Sequence, residues 1–261
     1  IVSLLVLVIV LPLMAAGSFM LVLNHEVGSI DKVPMTTDKN RPLPDQTGAM
    51  NILLLGSDKG QVAQGAKNTS IAEDAKGAWP SGKYRSDTIM VVHVDAGHDK
   101  VHVVSIPRDT FTTIYDSAGK PHGKQKINAA FSIYGPGGAV STVEHLTGLR
   151  MEHLAIMDWE GFKDLSTAVG GVKVHVSADT YDTENKVRWA EGDYTLKGEK
   201  ALLYVRQRYG LLRGDFDRIA RQQNFLRSLM RSILSGPSLR NPVTVLNTTK
   251  VLTRNLTTDE G

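Results

Sequence analysis

The chain has 261 residues, 41% of them hydrophobic and 22% charged, with a net charge of +3 and an isoelectric point near 9. That composition excludes a disordered polyelectrolyte and allows one sizeable core, while the absence of cysteine excludes a disulfide framework, a thiolate nucleophile and a Cys-ligated metal. The slight basic balance fits nucleic acid, an anionic membrane surface or a phosphorylated substrate, so the placement of the arginines matters more than their sum.

No charged residue occurs from Ile1 to Leu23. At ~1.5 Å per residue such a run crosses a hydrocarbon core ~30 Å thick, and it outlasts the apolar centre of a cleavable signal peptide. It reads as one N-terminal transmembrane helix, residues 1–23. Residues 24–49 are polar, carry both charge signs and hold Pro34, Pro42 and Pro44 without an amphipathic period, which reads as a linker between membrane and domain.

The folded domain is expected over 50–261. Asn51 to Gly56 is an apolar run closed by Gly, as in a strand covered on both faces. Ser57-Asp58 follows at its carboxyl end, where open α/β sheets gather ligands. Lys59 to Tyr84 is a long connection rich in Gly, Ala and Ser, either a functional flap or an insertion. Arg85-Ser86-Asp87 leads into a β-branched strand, Thr88 to Val94, which turns at Ala96–Asp99 and returns as Val101 to Ile106, making a hairpin. Pro107-Arg108-Asp109-Thr110 then stops the ladder.

Asp116 to Gln125 reads as loop, Lys126 to Phe131 as the start of a short helix, and Gly137 to His145 as another ending near Gly148. Leu154 to Met157 reads as a buried strand followed by Asp158, Trp159 to Val169 as a helix, and Val172 to Val176 as a strand. Helices are expected over Lys197–Leu203, Ile219–Leu234 and Val243–Leu252. Thr257 to Glu260 resembles the start of a further helix, so the domain is expected to continue past Gly261. Strands alternating with helices imply an α/β fold with helices on both sides of a mixed sheet.

The densest polar stretch is Tyr204 to Gln223, which carries five arginines. Arg206 and Arg208 alternate at the period of a strand, which would send both guanidinium groups to one side and Val205 and Gln207 to the other. From Asp215 the pattern turns helical, with Asp215, Arg218 and Gln222 on one face. Planar arginine forks match phosphate oxygens; the plainer alternative is a solvated basic helix face.

Collected at strand ends and helix starts are Asp58, Arg85, Asp87, Arg108, Asp109, Lys126, Arg206, Arg208, Asp215, Arg218 and Gln222. A few carboxylates among many arginines suit a divalent cation shared with a phosphorylated ligand, because Mg²⁺ is usually held by one or two carboxylates plus phosphate oxygens. Asp58 and Asp87 are the expected ligands, and Arg85, Arg108, Arg206 and Arg208 would neutralise the remaining phosphate charge. The alternative for each Arg/Asp pair is an ion pair tying strand ends together.

The motifs NILLLGSD, RSDTIMVVHV, SIPRDT, KINAAF and YVRQRYGLLRGDFDRIARQQ occur in the order found in the LytR-CpsA-Psr family, which the chain resembles over most of residues 50–235. The resemblance implies an α/β/α sandwich and a bacterial, membrane-anchored, extracytoplasmic phosphotransferase. Such an enzyme moves a glycopolymer, such as teichoic acid or arabinogalactan, from a polyprenyl-pyrophosphate carrier onto a peptidoglycan sugar hydroxyl. By that resemblance Asp58 and Asp87 match the magnesium ligands, and Arg85, Arg108, Lys126, Arg206, Arg208 and Gln222 match the pyrophosphate-binding set, with Asp215 and Arg218 as its supporting pair. Asp58, Arg108, Asp109, Arg206, Arg208 and Asp215 are the residues expected to carry the reaction, with Asp58 or Asp109 as a base if one is needed. One departure is the long Lys59–Tyr84 connection, where the family often has an Arg and a short loop.

Two rival readings use the same residues: a pyrophosphatase acting on lipid-linked precursors, and a non-catalytic envelope protein that binds anionic glycopolymer. The second accounts for the arginines but not for Asp58 and Asp87, which would repel an anion unless a cation intervened. A nucleic-acid regulator lacks an aromatic platform beside the arginines. Ala139, Val140, Val143, Leu146, Leu165 and Val169 are candidates for a lipid slot, though such spacing more often describes plain core.

Overall fold

The computed structural model describes residues 21–59, 69–235 and 241–260. Residues 1–20 of the expected anchor lie outside these, and among the described residues no helix is long and apolar enough to cross a membrane. The first half of the domain comprises β1 (Asp31–Val33), β2 (Met50–Lys59), α1 (Ile71–Ala75), β3 (Tyr84–Val94), β4 (Val101–Ile106), β5 (Phe111–Tyr115), β6 (Pro121–Lys126) and α2 (Asn128–Thr147). The second comprises β7 (His153–Asp158), α3 (Trp159–Ala168), β8 (Val172–Val176), β9 (Thr180–Asp182), β10 (Val187–Trp189), β11 (Gly192–Leu196), α4 (Gly198–Arg206), α5 (Asp215–Ser235), α6 (Pro242–Asn255) and β12 (Leu256–Asp259).

Six strands form a mixed central sheet in the order β1-β12-β7-β2-β3-β4, in which β2 runs parallel to β7 and antiparallel to β3. Alternate residues of the central strands feed two cores, as the pleat requires. Leu53, Leu55, Ile89, Val91, Leu154 and Ile156 pack with Phe131, Val140 and Val143 of α2 on one face. On the other face Met157 joins Leu165 of α3, Val205 of α4 and Phe225 and Leu229 of α5. The result is helix, sheet, helix. Of the candidate lipid-slot residues, all but the exposed Leu146 belong to these two cores.

Local signals explain the element ends near the site. Asp158 caps α3, its carboxylate accepting from the Gly161 backbone N–H at 2.8 Å. The two short helices expected over 126–148 are one element broken at Gly135, whose φ of 71° and ψ of −164° are open only to glycine, with Pro136 beyond it. The register between β2 and β3 jumps from Gly56↔Thr88 to Ser57↔Ser86, leaving Asp87 as the extra residue of a β-bulge.

Four expectations are corrected. Arg206 ends helix α4 and Arg208 follows in a loop, so neither lies on a strand; the exposed–buried alternation is nonetheless real, because Val205 and Gln207 are buried and both arginines are exposed. Asp116–Gln125 is part of a hairpin, β5 and β6, whose turn is held by the Asp116 carboxylate accepting from Ala118 and Lys120. Its exposed, polar residues hid the strand signal. Thr257–Glu260 starts no helix: β12 slots between β1 and β7, and the Asp259 carboxylate accepts from the Leu154 N–H at 2.9 Å. Tertiary pairing overrides the capping pattern there. Finally, the stretch read as linker is packed on the domain from residue 31, with Val33 fully buried and Arg41 donating to Glu144 and to the Met151 carbonyl at 2.7 Å each.

Candidate active site

Asp58, next to last in β2, lies directly opposite Arg85 of β3, and the bulge at Asp87 turns a second carboxylate into the same neighbourhood. Gly56 makes this approach possible: a Cβ there would lie 2.9 Å from Thr88 Cβ. Ser57 and Ser86, the buried pair between, anchor the strand ends. Burial pushes the Asp58 carboxyl up, and the charge of Asp87 adds to the push against the pull of Arg85 and Arg206. Asp58 Oδ1 is buried without a hydrogen-bond partner.

The exit from β4 supplies the next layer. Arg108 donates through Nη1 to Asp87, and its Nε lies 3.9 Å from Asp109 Oδ2. Burial works against the Arg108 charge, but the hydrogen bond and charge of Asp87 outweigh it and raise its pKa. Asp109 in turn accepts from Lys126 Nζ, at the end of β6, at 2.9 Å. That hydrogen bond holds the Asp109 carboxyl low, with the charges of Arg108 and Arg208 adding to it.

The loop between α4 and α5 closes the ring. Asp215, the first residue of α5, is bound by Arg218 Nη2 at 3.0 Å and lies 3.4 Å from Arg208 Nε. Burial lowers the pKa of Arg218, opposed by Asp215 and reinforced by the like charges of Arg208 and Arg108. Arg206 stands 5.2 Å over the Trp159 ring at the start of α3, a cation–π contact. Gln222, one turn beyond Arg218, donates to the Val205 carbonyl at 3.2 Å, tying α5 to the end of α4. All the sequence-derived candidates therefore meet in one chain of contacts and fields, with Gln222 joined through the backbone. Six cations, Arg85, Arg108, Lys126, Arg206, Arg208 and Arg218, meet four carboxylates, Asp58, Asp87, Asp109 and Asp215, leaving a positive surplus suited to an anion.

Trp159 is the site residue that sequence reasoning missed. It looks like an ordinary first residue of a capped helix, and only the fold brings its ring beneath Arg206. An apolar cavity of about 200 Å³ adjoins the cluster between the sheet and helices α3 and α5, lined by Leu54, Met90, Met157, Phe162, Phe225 and Leu229. Thr88, next in the chain to Asp87, also borders it, as do Trp159 and Gln222 of the site.

A mixed sheet sandwiched by helices, with an arginine-rich cluster at its strand ends and an apolar chamber alongside, defines an α/β/α protein with its candidate site at the strand ends. The chain belongs to the LytR-CpsA-Psr family: the LytR_cpsA_psr family matches residues 21–261. It is 35% identical over 240 residues to the cell wall biosynthesis protein LcpA of Corynebacterium glutamicum, covering 82% of this chain and 45% of the relative. It is 37% identical over 180 residues to the polyisoprenyl-teichoic acid–peptidoglycan teichoic acid transferase TagU of Bacillus mycoides, covering 68% and 57%. Among solved structures, B. subtilis TagV superposes with a TM-score of 0.60 at 28% identity over 82% of this chain and 75% of that one. The chain thus spans about half the length of the curated relatives it matches.

Proposed function

We propose that the protein transfers a glycopolymer from a polyprenyl-pyrophosphate carrier to a peptidoglycan hydroxyl, as an extracytoplasmic membrane-anchored phosphotransferase. The observation that carries this reading is the junction of the arginine cluster with the apolar cavity. A pyrophosphate would lie among Arg85, Arg108, Arg206, Arg208 and Arg218, and the first isoprenoid units would occupy the space between Leu54 and Phe225. The names of TagU and TagV as relatives support the same substrate class.

Asp58 and Asp87 fit a Mg²⁺ ion. Asp58 keeps a buried carboxylate oxygen with no partner, and burial together with the nearby charge of Asp87 raises its pKa, as expected of a carboxylate placed to hold a cation. Held by Asp58 and Asp87, the ion would supply positive charge that makes the phosphorus more electrophilic. The remaining work falls to the chain. Arginine forks orient the pyrophosphate and stabilise charge on the leaving phosphate. The acceptor hydroxyl oxygen bonds to the glycan-side phosphorus, the bond from that phosphorus to the bridging oxygen breaks, and polyprenyl phosphate leaves with the electron pair. The hydroxyl proton departs to Asp58, to Asp109 or to solvent. The hydrogen bond from Lys126 holds the Asp109 carboxyl low, which weakens it as a base.

The test is to incubate the protein, with Mg²⁺, with a synthetic polyprenyl-pyrophosphoryl sugar in the presence and absence of a peptidoglycan oligomer. Sugar phosphate joined to the oligomer is the expected product. Free sugar phosphate regardless of oligomer would replace the transferase with a hydrolase, and tight binding without turnover would replace it with a binding protein.

A further inference from the structure

A second concave surface runs along the face of α5 turned away from the apolar cavity. Its first lobe, about 630 Å³, lies between the loop 207–214, the end of β8 and α5, with Leu211, Arg213, Asp217, Arg221, Asn224 and Arg227 among its walls. A second lobe of about 530 Å³ shares His175 and Asn224 with the first and continues over Lys173, Tyr194 and Thr195 to Ser228. The shared walls make one groove. From Asp217 to Ser228 it follows α5 for roughly 16 Å at the helical rise.

The groove has a fixed floor and free groups at its rim. Arg221 stacks on the Tyr204 ring at 4.7 Å and donates to Gln207 Oε1 at 2.6 Å and Thr180 Oγ1 at 3.0 Å. Arg213 is closed on Asp217 at 2.7 Å. Asn224 and Arg227, by contrast, are exposed, and their side chains make no hydrogen bond or ion pair among the described residues. An amide and a guanidinium, with the hydroxyls of Ser177 and Thr195 and the half-buried ring of Tyr194 nearby, match an extended saccharide bearing hydroxyls, amides and carboxylates.

The position of α5 decides which saccharide. Its N-terminus brings Asp215 and Arg218 to the charged site, its Phe225–Leu229 face lines the apolar cavity, and its Asp217–Arg227 face lines the groove. In-line displacement at phosphorus needs the incoming oxygen opposite the leaving one. With the leaving lipid phosphate drawn toward the apolar side, the nucleophile would enter from the side of α5 that carries the groove. The loop 207–214 spans both, presenting Arg208 to the site and Leu211–Arg213 to the groove.

We propose that this groove binds the acceptor, a glycan strand whose peptide stems carry carboxylates, with Asn224 and Arg227 as its recognition residues. The proposal rests on the phosphotransfer reading above. Two measurements on the full chain test it: titration of an uncrosslinked peptidoglycan tetrasaccharide with intact stems, and KM for that acceptor against KM for the lipid-linked donor. Asn224→Ala and Arg227→Ala, both at exposed helix positions that alanine suits, are each expected to weaken tetrasaccharide binding and raise acceptor KM about tenfold, leaving donor KM at the wild-type value. Unchanged binding in both variants would overturn the proposal. So would a rise confined to donor KM, which would assign the groove to the donor's own glycan. Binding is read without turnover, so a chain that holds the tetrasaccharide through Asn224 and Arg227 yet transfers nothing keeps the groove and loses the transferase reading.

Discussion

Asp87 is the extra residue of the β3 bulge, and its carboxylate accepts from Nη1 of Arg108 at the exit from β4. The pair fixes Arg108 before any ligand arrives, so its remaining N–H groups are preorganised for phosphate. Arg108→Ala is expected to cut transfer by about 10²–10³-fold, the size of effect seen when one charge-stabilising donor is removed. Arg108→Lys should recover little, because an ammonium cannot hold Asp87 and a phosphate through one planar fork. The checking measurement is turnover beside a thermal melt; wild-type turnover in a folded Arg108→Ala protein would remove Arg108 from the machinery.

The unpartnered oxygen of Asp58 leads to a metal prediction. Chelation should stop transfer, Mg²⁺ should restore it, and Asp58→Asn should move the Mg²⁺ concentration for half-maximal activity upward by tenfold or more. Ca²⁺, larger and less strict in geometry, should restore less. If the wild-type rate is the same in excess chelator, Asp58 and Asp87 do not act through a cation.

Arg206 rests on Trp159, and that stack sets the height of its guanidinium over the site. A partly desolvated cation–π contact contributes about 0.5–2 kcal/mol. Trp159→Phe should therefore be tolerated, while Trp159→Ala should raise donor KM by about 3–30-fold with a smaller change in stability. Trp159→Ala with an unaltered donor KM would make the stack ornamental.

The regular parts of this fold were legible because their signals are local. The strands Val101–Ile106 and Val172–Val176 are bounded by turn residues on both sides and match the structure at each end. The polar residues at strand ends were legible for the same reason, since a charge directly after an apolar run marks where a sheet opens to ligand. What escaped depends on residues far apart. The strand β1 exists because β12 waits more than 200 residues later to pair with it, and β12 itself looks like a helix cap in isolation. Arg206 and Arg208 alternate across a helix terminus, where the turn from α4 into the loop imitates the two-residue period of a strand. The bulge at Asp87 adds one residue to a ladder whose partner is needed to count it. Trp159 reaches Arg206 only through the docking of α3 on α4.

The last prediction concerns the N-terminal stretch read as linker. Asp38, 6% exposed, accepts from Ser141 Oγ at 3.0 Å, from the Asn40 backbone N–H at 2.7 Å, and pairs with His145 Nε2 at 2.9 Å, clamping residues 36–41 to α2. Burial alone would raise its pKa, but the Asn40, His145 and Ser141 hydrogen bonds outweigh burial and hold it below the ordinary carboxylate value. A carboxyl whose pKa is depressed on folding contributes stability that is fully present above its unfolded pKa, about 3.9, and is lost as pH falls through the lower folded value. Wild-type stability should therefore decline below about pH 4 partly through Asp38. Asp38→Asn should cost roughly 1–3 kcal/mol at neutral pH, lowering Tm by about 2–4 °C per kcal/mol, and should show a shallower acid decline. Starting the chain at residue 50 should destabilise it further, since Val33, Asp38 and Arg41 are lost together. Thermal melts from pH 3 to 7 on the three proteins decide the matter: an acid limb in Asp38→Asn as steep as the wild type's would mean that the clamp holds no pH-dependent stability.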